Sequence, residues 1–130
     1  MDESGFNLTE LTELIRSYLA SKLPSLAWEK HFKGAAIPNR ITGTVSADSM
    51  EFSNTAKGAD VAMITFHIYI IDPRTENRLE KIALDVRRAF KENDTLDDVI
   101  QSGMVEKIEF GAVTANAGAC LITYKVKLWM

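Results

Sequence analysis

Cysteine is almost missing from this chain. Cys120 is the one present, so no disulfide can close within the chain, and that usage fits a reducing compartment. Histidine is nearly as scarce. Neither His31 nor His67 has a second histidine, a cysteine or a carboxylate at metal-ligand spacing, so no metal and no other cofactor is expected. The glycines form neither a phosphate-binding loop nor a dinucleotide fingerprint. Basic charge is in deficit: 15 Lys and Arg against 18 Asp and Glu leave a formal net charge of -3. That balance gives no electrostatic ground for reading nucleic acid, and no stretch interleaves basic residues with aromatics. No apolar run approaches the roughly 20 residues that a membrane helix needs, so no membrane partner is expected. Met1-Asp2-Glu3-Ser4-Gly5 lacks the basic-then-apolar order of a secretory signal, which points to synthesis in the cytosol.

What is present is an ordinary globular composition. The 130 residues are 46% hydrophobic and 25% charged, enough for one folded domain over residues 1–130. Its centre is Val61 to Phe90. Val61 to Ile71 is an almost unbroken apolar run, read as a strand. One face carries Ala62, Ile64, Phe66, Ile68 and Ile70, and the other carries Val61, Met63, Thr65, His67, Tyr69 and Ile71. The first face is wholly apolar and must lie under helices. The second is half apolar, which suits a partner surface or a half-covered face. Asp72-Pro73-Arg74-Thr75 reads as a turn. Glu76 to Phe90 reads as a helix, with Leu79, Ile82, Ala83, Val86 and Phe90 on one face and a solvated charged face opposite.

Phe6 to Leu23 is the other helix. Its stripe is Phe6, Leu8, Leu11, Leu14, Ile15, Tyr18, Leu19 and Leu23, with Asn7 or Thr9 as N-cap and Pro24 as the stop. Ser25 to Phe32 is short and mixed and reads as a first strand. Residues 40–58 form the least core-like part: Ile41, Val45, Met50 and Phe52 are scattered among polar residues. Two readings stand side by side. One is a mobile surface loop; the other is a polar arm, with Thr42 to Val45 and Met50 to Phe52 able to pair across Ala47-Asp48-Ser49, that orders on a partner. In Asn93 to Gly103, Asp94 or Thr95 is expected to cap a short helical turn that tucks in Leu96, Val99 and Ile100. Met104 to Val113 and Ala119 to Met130 read as closing strands. Setting Phe110 against Tyr124 places Glu109 against Lys125, an opposite-charge pair. The expected fold is α+β: an antiparallel sheet with two helices packed on one face, in the order helix, one to three strands, helix, two strands.

No catalytic constellation stands out, so no enzyme is expected. A dyad of His67 and Cys120 would need an adjacency that spacing does not supply. Asp97 and Asp98 sit in a polar turn and lack the EF-hand pattern.

Two segments together carry a resemblance. The first is the strand Val61 to Ile71 running through Asp72-Pro73-Arg74-Thr75-Glu76-Asn77-Arg78 into the helix Leu79 to Phe90. The second is the hairpin Ile108-Glu109-Phe110-Gly111-Ala112-Val113 through Ala119 to Leu128. With a leading helix and a polar middle arm, the order resembles the tail-terminator (tail-completion) proteins of tailed bacteriophages and the related head–tail joining proteins. The resemblance spans Leu8 to Leu128 and rests on element order and apolar pattern. It implies a non-enzymatic structural virion protein of a phage or prophage, assembled in the host bacterial cytoplasm. Such proteins form a ring, commonly a hexamer, at the head-proximal end of the tail tube. The ring stops tail growth and joins tail to head, so its implied partners are copies of itself, the tail tube protein and the head connector or neck proteins. DNA passes the lumen without being read. A ring needs two different complementary patches per copy. The half-apolar strand face and the arm supply candidate contacts: Val45, Met50, Phe52, Met63, Thr65, His67 and Tyr69. Another neck or tail-joining protein, or a cellular α+β protein- or ligand-binding domain, is the alternative.

Overall fold

A computed structural model of the chain describes residues 7–31, 37–54, 60–74 and 78–129. Phe6, Phe32, Gly58, Glu76 and Met130, which the sequence reading placed in a helix, a strand or the arm, lie outside the described residues. The elements are α1 (Leu8–Lys22), β1 (Ala27–Glu29), β2 (Thr42–Asn54), β3 (Asp60–Asp72), α2 (Leu79–Glu92), β4 (Ser102–Thr114) and β5 (Ala117–Trp129). The strands form one five-stranded sheet in the order β1-β2-β3-β5-β4. Both helices lie on one side of it, α1 over β1 and β2 and α2 over β4 and β5, as the α+β reading requires. The sheet is mixed and not wholly antiparallel, because β1 runs parallel to β2. A parallel pair cannot be joined by a tight turn, and residues 30–41 separate the two strands.

The helices form where the sequence places them. The Asn7 side chain accepts a hydrogen bond from the Glu10 N–H at 3.1 Å and caps α1. Leu11, Ile15 and Leu19 are buried beneath it, and Leu14 is at the exposed margin of the stripe. In α2, Ala83, Val86 and Phe90 are buried, and Leu79 and Ile82 pack against the core. The two helices meet through aromatics. Phe90 stacks on Tyr124 of β5 with ring centroids 3.8 Å apart, and Tyr18 leans on Phe90 at 5.9 Å. The Tyr18 hydroxyl donates to the Ala89 carbonyl. On β3, Ala62, Ile64, Phe66, Ile68 and Ile70 have no exposed surface. Each of the large ones contributes roughly 1.5–3 kcal/mol of burial free energy. At Gly43, an added Cβ would sit 2.6 Å from the Trp28 ring, whose indole N–H donates to the Leu23 carbonyl at 3.0 Å. The missing side chain lets Trp28 lie across β2 and tie β1 to the end of α1.

Four local expectations are corrected. Residues 42–54 are neither a loop nor a hairpin but one long strand, antiparallel to β3 along its length. A bulge at Asp48 shifts the register between Ala47 and Ser49. Val45 and Ala47 therefore face the helices before the bulge, and Met50 and Phe52 do so after it. That shift of parity hides the alternation in the sequence. The β4–β5 register also differs from the expected one. Ile108 opposes Ile122, Phe110 opposes Cys120 and Glu109 opposes Leu121, with a bulge at Glu106. The charges find other partners: Lys125 pairs with Glu106 at 3.1 Å and Lys107 with Glu109 at 2.6 Å. The turn after α2 is left-handed, not helical in the ordinary sense, with φ of 48°, 57° and 67° at Leu96, Asp97 and Asp98. Asn93 and Thr95 hold it: the Asn93 side chain exchanges hydrogen bonds with Asp97, and the Thr95 hydroxyl accepts from the Asp98 N–H. Aspartate tolerates this conformation better than most residues, and burying Leu96 and Ile100 offsets its cost.

The fourth correction concerns Asp72, read as part of an ordinary turn. Its side chain is fully buried at the end of β3. It accepts two bonds from the Arg78 guanidinium, at 2.7 and 3.1 Å, and one from the Arg74 N–H at 3.0 Å. This fork fixes the angle at which α2 leaves the sheet.

Candidate assembly interface

Because both helices lie on one side, the opposite face of the sheet is not covered by any described element. Met63, Thr65, His67 and Tyr69 run along the middle of that open face, each half-buried by its cross-strand neighbours. Opposite them on β5 stand Lys127, Lys125, Thr123 and Leu121, and on β2 Glu51, Ser49, Ser46 and Thr44. The face mixes apolar residues with both signs of charge. His67 Nδ1 lies 3.9 Å from the Asp48 carboxylate at the bulge.

The other three sequence candidates do not join this patch. Val45, Met50 and Phe52 oppose Ile68, Ile64 and Ala62, so they point to the helix side. Val45 is buried and Met50 packs partly against the core. Their side chains are committed inside the subunit. Phe52 is 59% exposed. Met104 and Phe110 on β4, at the far side of the sheet, are exposed to a similar degree. The sequence reading placed Phe110 in a closing strand beside Ile108 and gave neither residue an interface role. Their position on an edge strand was not visible before the strand order was known.

The sheet separates the two groups weighed for nucleophilic chemistry. His67 is on the open face, whereas Cys120 opposes Ile70 and Phe110 on the helix side. Burial pushes the Cys120 thiol up to about 11. Burial likewise raises Tyr124, whose hydroxyl lies against Gly103 and has no hydrogen-bond partner among the described residues. No group of three or more His, Cys, Asp or Glu suited to a metal occurs among the described residues. A groove of about 490 Å³ at the start of α2 gathers Arg40, Arg74, Arg78 and Lys81. Most of that charge is already engaged: Arg78 with Asp72, Lys81 with Asp85 at 2.9 Å, and Arg40 donating to the Ser25 carbonyl at 3.1 Å. No helix among the described residues is long and apolar enough to cross a membrane.

No family model matches the chain, and no curated protein matches it. Among solved structures, a chain described as "Virion of native gene transfer agent (GTA) particle" superposes with a TM-score of 0.52 at 11% identity. The match covers 92% of this chain and 95% of that one. A second solved chain aligns at a TM-score of 0.44 and 18% identity over 88% of this chain and 94% of that one, a looser likeness. The fold of this chain is thus one also found in a gene transfer agent virion.

Proposed function

We propose that this chain is a structural component of a phage-like particle. It forms a ring, expected to be a hexamer, at the head-proximal end of the tail tube, where it terminates tail growth and joins tail to head. The observation that carries this reading is a near full-length fold shared with a chain of a gene transfer agent virion. It is supported by a sheet whose helices occupy one side, leaving a whole face and long strand edges for assembly. Met63, Thr65, His67 and Tyr69 are proposed as partner contacts on the open face. The proposed partners are copies of itself, the tail tube protein and the neck or connector proteins. DNA would cross the lumen unread, in keeping with the net charge of -3. No catalytic role is assigned.

Native mass spectrometry and negative-stain imaging, with and without purified tail tubes, test the proposal. Rings of defined mass, or caps on tube ends, are expected. A protein that stays monomeric and leaves tubes uncapped overturns it.

A further inference from the structure

The sheet has two unequal edges. On one side β4 is the last strand and has no outer neighbour among the described residues. On the other, β1 pairs only with Thr42–Thr44, so among the described residues β2 has no outer neighbour from Val45 to Asn54. Such edges present unpaired N–H and C=O groups and usually carry devices that discourage pairing. Here the two free edges fit each other. In strand direction, β2 and β4 run opposite ways within one copy, because β2, β3, β5 and β4 alternate. Copies related by rotation would therefore bring β4 of one antiparallel to β2 of the next.

The bulges select a register. β2 carries one, at Asp48; β4 carries one at Glu106 and a second at Val113, next to the turn and outside the stretch paired below. Residues facing the helices are Val45 and Ala47, then Met50 and Phe52, on β2. On β4 they are Gly103 and Val105, then Ile108 and Phe110. Setting Val45 against Phe110 sets Ala47 against Ile108, Met50 against Val105 and Phe52 against Gly103. Every helix-side residue then meets a helix-side residue on both flanks of the bulges, as strand pairing requires. The same register places Asp48 opposite Lys107, an opposite-charge pair. A shift of two residues either way sets a bulge or open-face residue against a helix-side one.

One further feature supports this register. Beside Gly103 is a cleft of about 220 Å³, lined by Arg87, Phe90, Lys91, Asp94 and Val105. Gly103 can carry no side chain, because a Cβ there would collide with the Tyr124 hydroxyl. The exposed Phe52 ring is the residue that the register brings to that cleft. An aromatic side chain laid over a cross-strand glycine is a known way to cover it.

We infer that residues 102–110 of β4 in one copy pair with the free part of β2 of the next, with Phe52 seated over Gly103, while the last residues of β4 diverge past β1. A second copy of this chain is the occupant. The contact is heterologous and leaves β4 unpaired at one end and β2 at the other until the assembly closes, which pairs both. This rests on the proposed ring and specifies how its copies join.

Cysteine trapping tests the register. Glu51 and Met104 are exposed residues of the open face and fall opposite each other in it. Mixing Glu51→Cys with Met104→Cys under mild oxidation is expected to give disulfide-linked dimers, and the double variant a ladder of oligomers. Glu51→Cys mixed with Ser102→Cys, two residues out of register, is expected to link far less. Phe52→Ala is expected to weaken association about tenfold or more, with an unchanged circular dichroism spectrum. If the wild-type protein assembles by native mass but the shifted pair links as readily, or neither pair links, the edge pairing is wrong and the ring stands. If the wild type is monomeric at its highest soluble concentration and on tail tubes, and no pair links, both readings fall.

Discussion

β2 and β3 lie side by side and are each 13 residues long, yet they are built by different rules. β3 is flanked by strands on both sides and covered by helices on one face. Its helix-side residues from Ala62 to Ile70 have no exposed surface. Among the described residues β2 has a full neighbour on one side only, and its open-face residues past Thr44 are Ser46, Ser49, Glu51 and Ser53. Its core contribution narrows from Val45, buried, to Phe52, mostly exposed. The difference teaches that strand position, more than strand length, sets composition. A central strand must be apolar to sit in the core, whereas an edge strand can be polar and still pair fully along its inner side. It also assigns roles: β3 holds the subunit together, and β2 is available to hold something else.

The largest way to break that contrast is a charge on β3. Ile68→Asp would bury an unpartnered carboxylate under the helices, at a cost beyond about 4–5 kcal/mol. That approaches the whole stability of a small domain, so no cooperative thermal transition should remain by circular dichroism. The same carboxylate three residues earlier, Thr65→Asp, enters the open face beside Lys125 and should shift stability by less than about 1 kcal/mol. A native-like Ile68→Asp protein, or an unfolded Thr65→Asp protein, would reverse the assignment of faces.

Next in size is the end of β3. Asp72→Ala removes three hydrogen bonds and leaves the Arg78 guanidinium without its buried acceptor. Arg78 keeps 40% of its side-chain surface in solvent, which softens the loss, so about 2 kcal/mol is expected in urea titration. A change within about 0.5 kcal/mol would mean that the fork does not set the angle of α2.

How much of this was legible in the sequence follows the same contrast. β3 and α2 could be read directly, because an apolar run and a helical stripe survive in the bare sequence. Both long helices and their side of the sheet could be inferred, since one wholly apolar strand face demands a cover. β2 could not, for a physical reason: one extra residue at Asp48 moves Met50 and Phe52 out of phase with Val45, and the alternation that marks a strand disappears. A deletion from Ser46 to Ser53, which the loop reading would tolerate, takes away most of a strand paired with β3. In β4 the visible charge pair of Glu109 and Lys125 favoured a longer loop, whereas the turn through Ala115 and Asn116 pairs Thr114 with Ala117 and sets Phe110 opposite Cys120. Asp72 was hidden because burial of a turn carboxylate depends on where Arg78 lands. The open face was anticipated on β3, but its neighbours on β5 and β2 required the strand order. The exposed edges could not be read at all, since an edge is a property of the sheet and not of the strand.

The finest test lies within β2 itself. Val45 and Phe52 point to the same side of one strand, but Val45 is 3% exposed and Phe52 is 59% exposed. Val45→Ala removes two buried methyl groups and should cost about 2 kcal/mol of stability, with assembly following only as far as folding does. Phe52→Ala removes a ring that is mostly in solvent and should cost under about 1 kcal/mol in the isolated subunit. If the two variants lower the urea midpoint equally, β2 is a core strand throughout and has no end to spare. If Phe52→Ala leaves the midpoint in place, the strand changes role along its length, from core at Val45 to free surface at Phe52. A large aromatic ring kept on a solvent-facing edge then contributes almost nothing to the lone subunit, and the stabilisation it can provide has to come from burial against another chain.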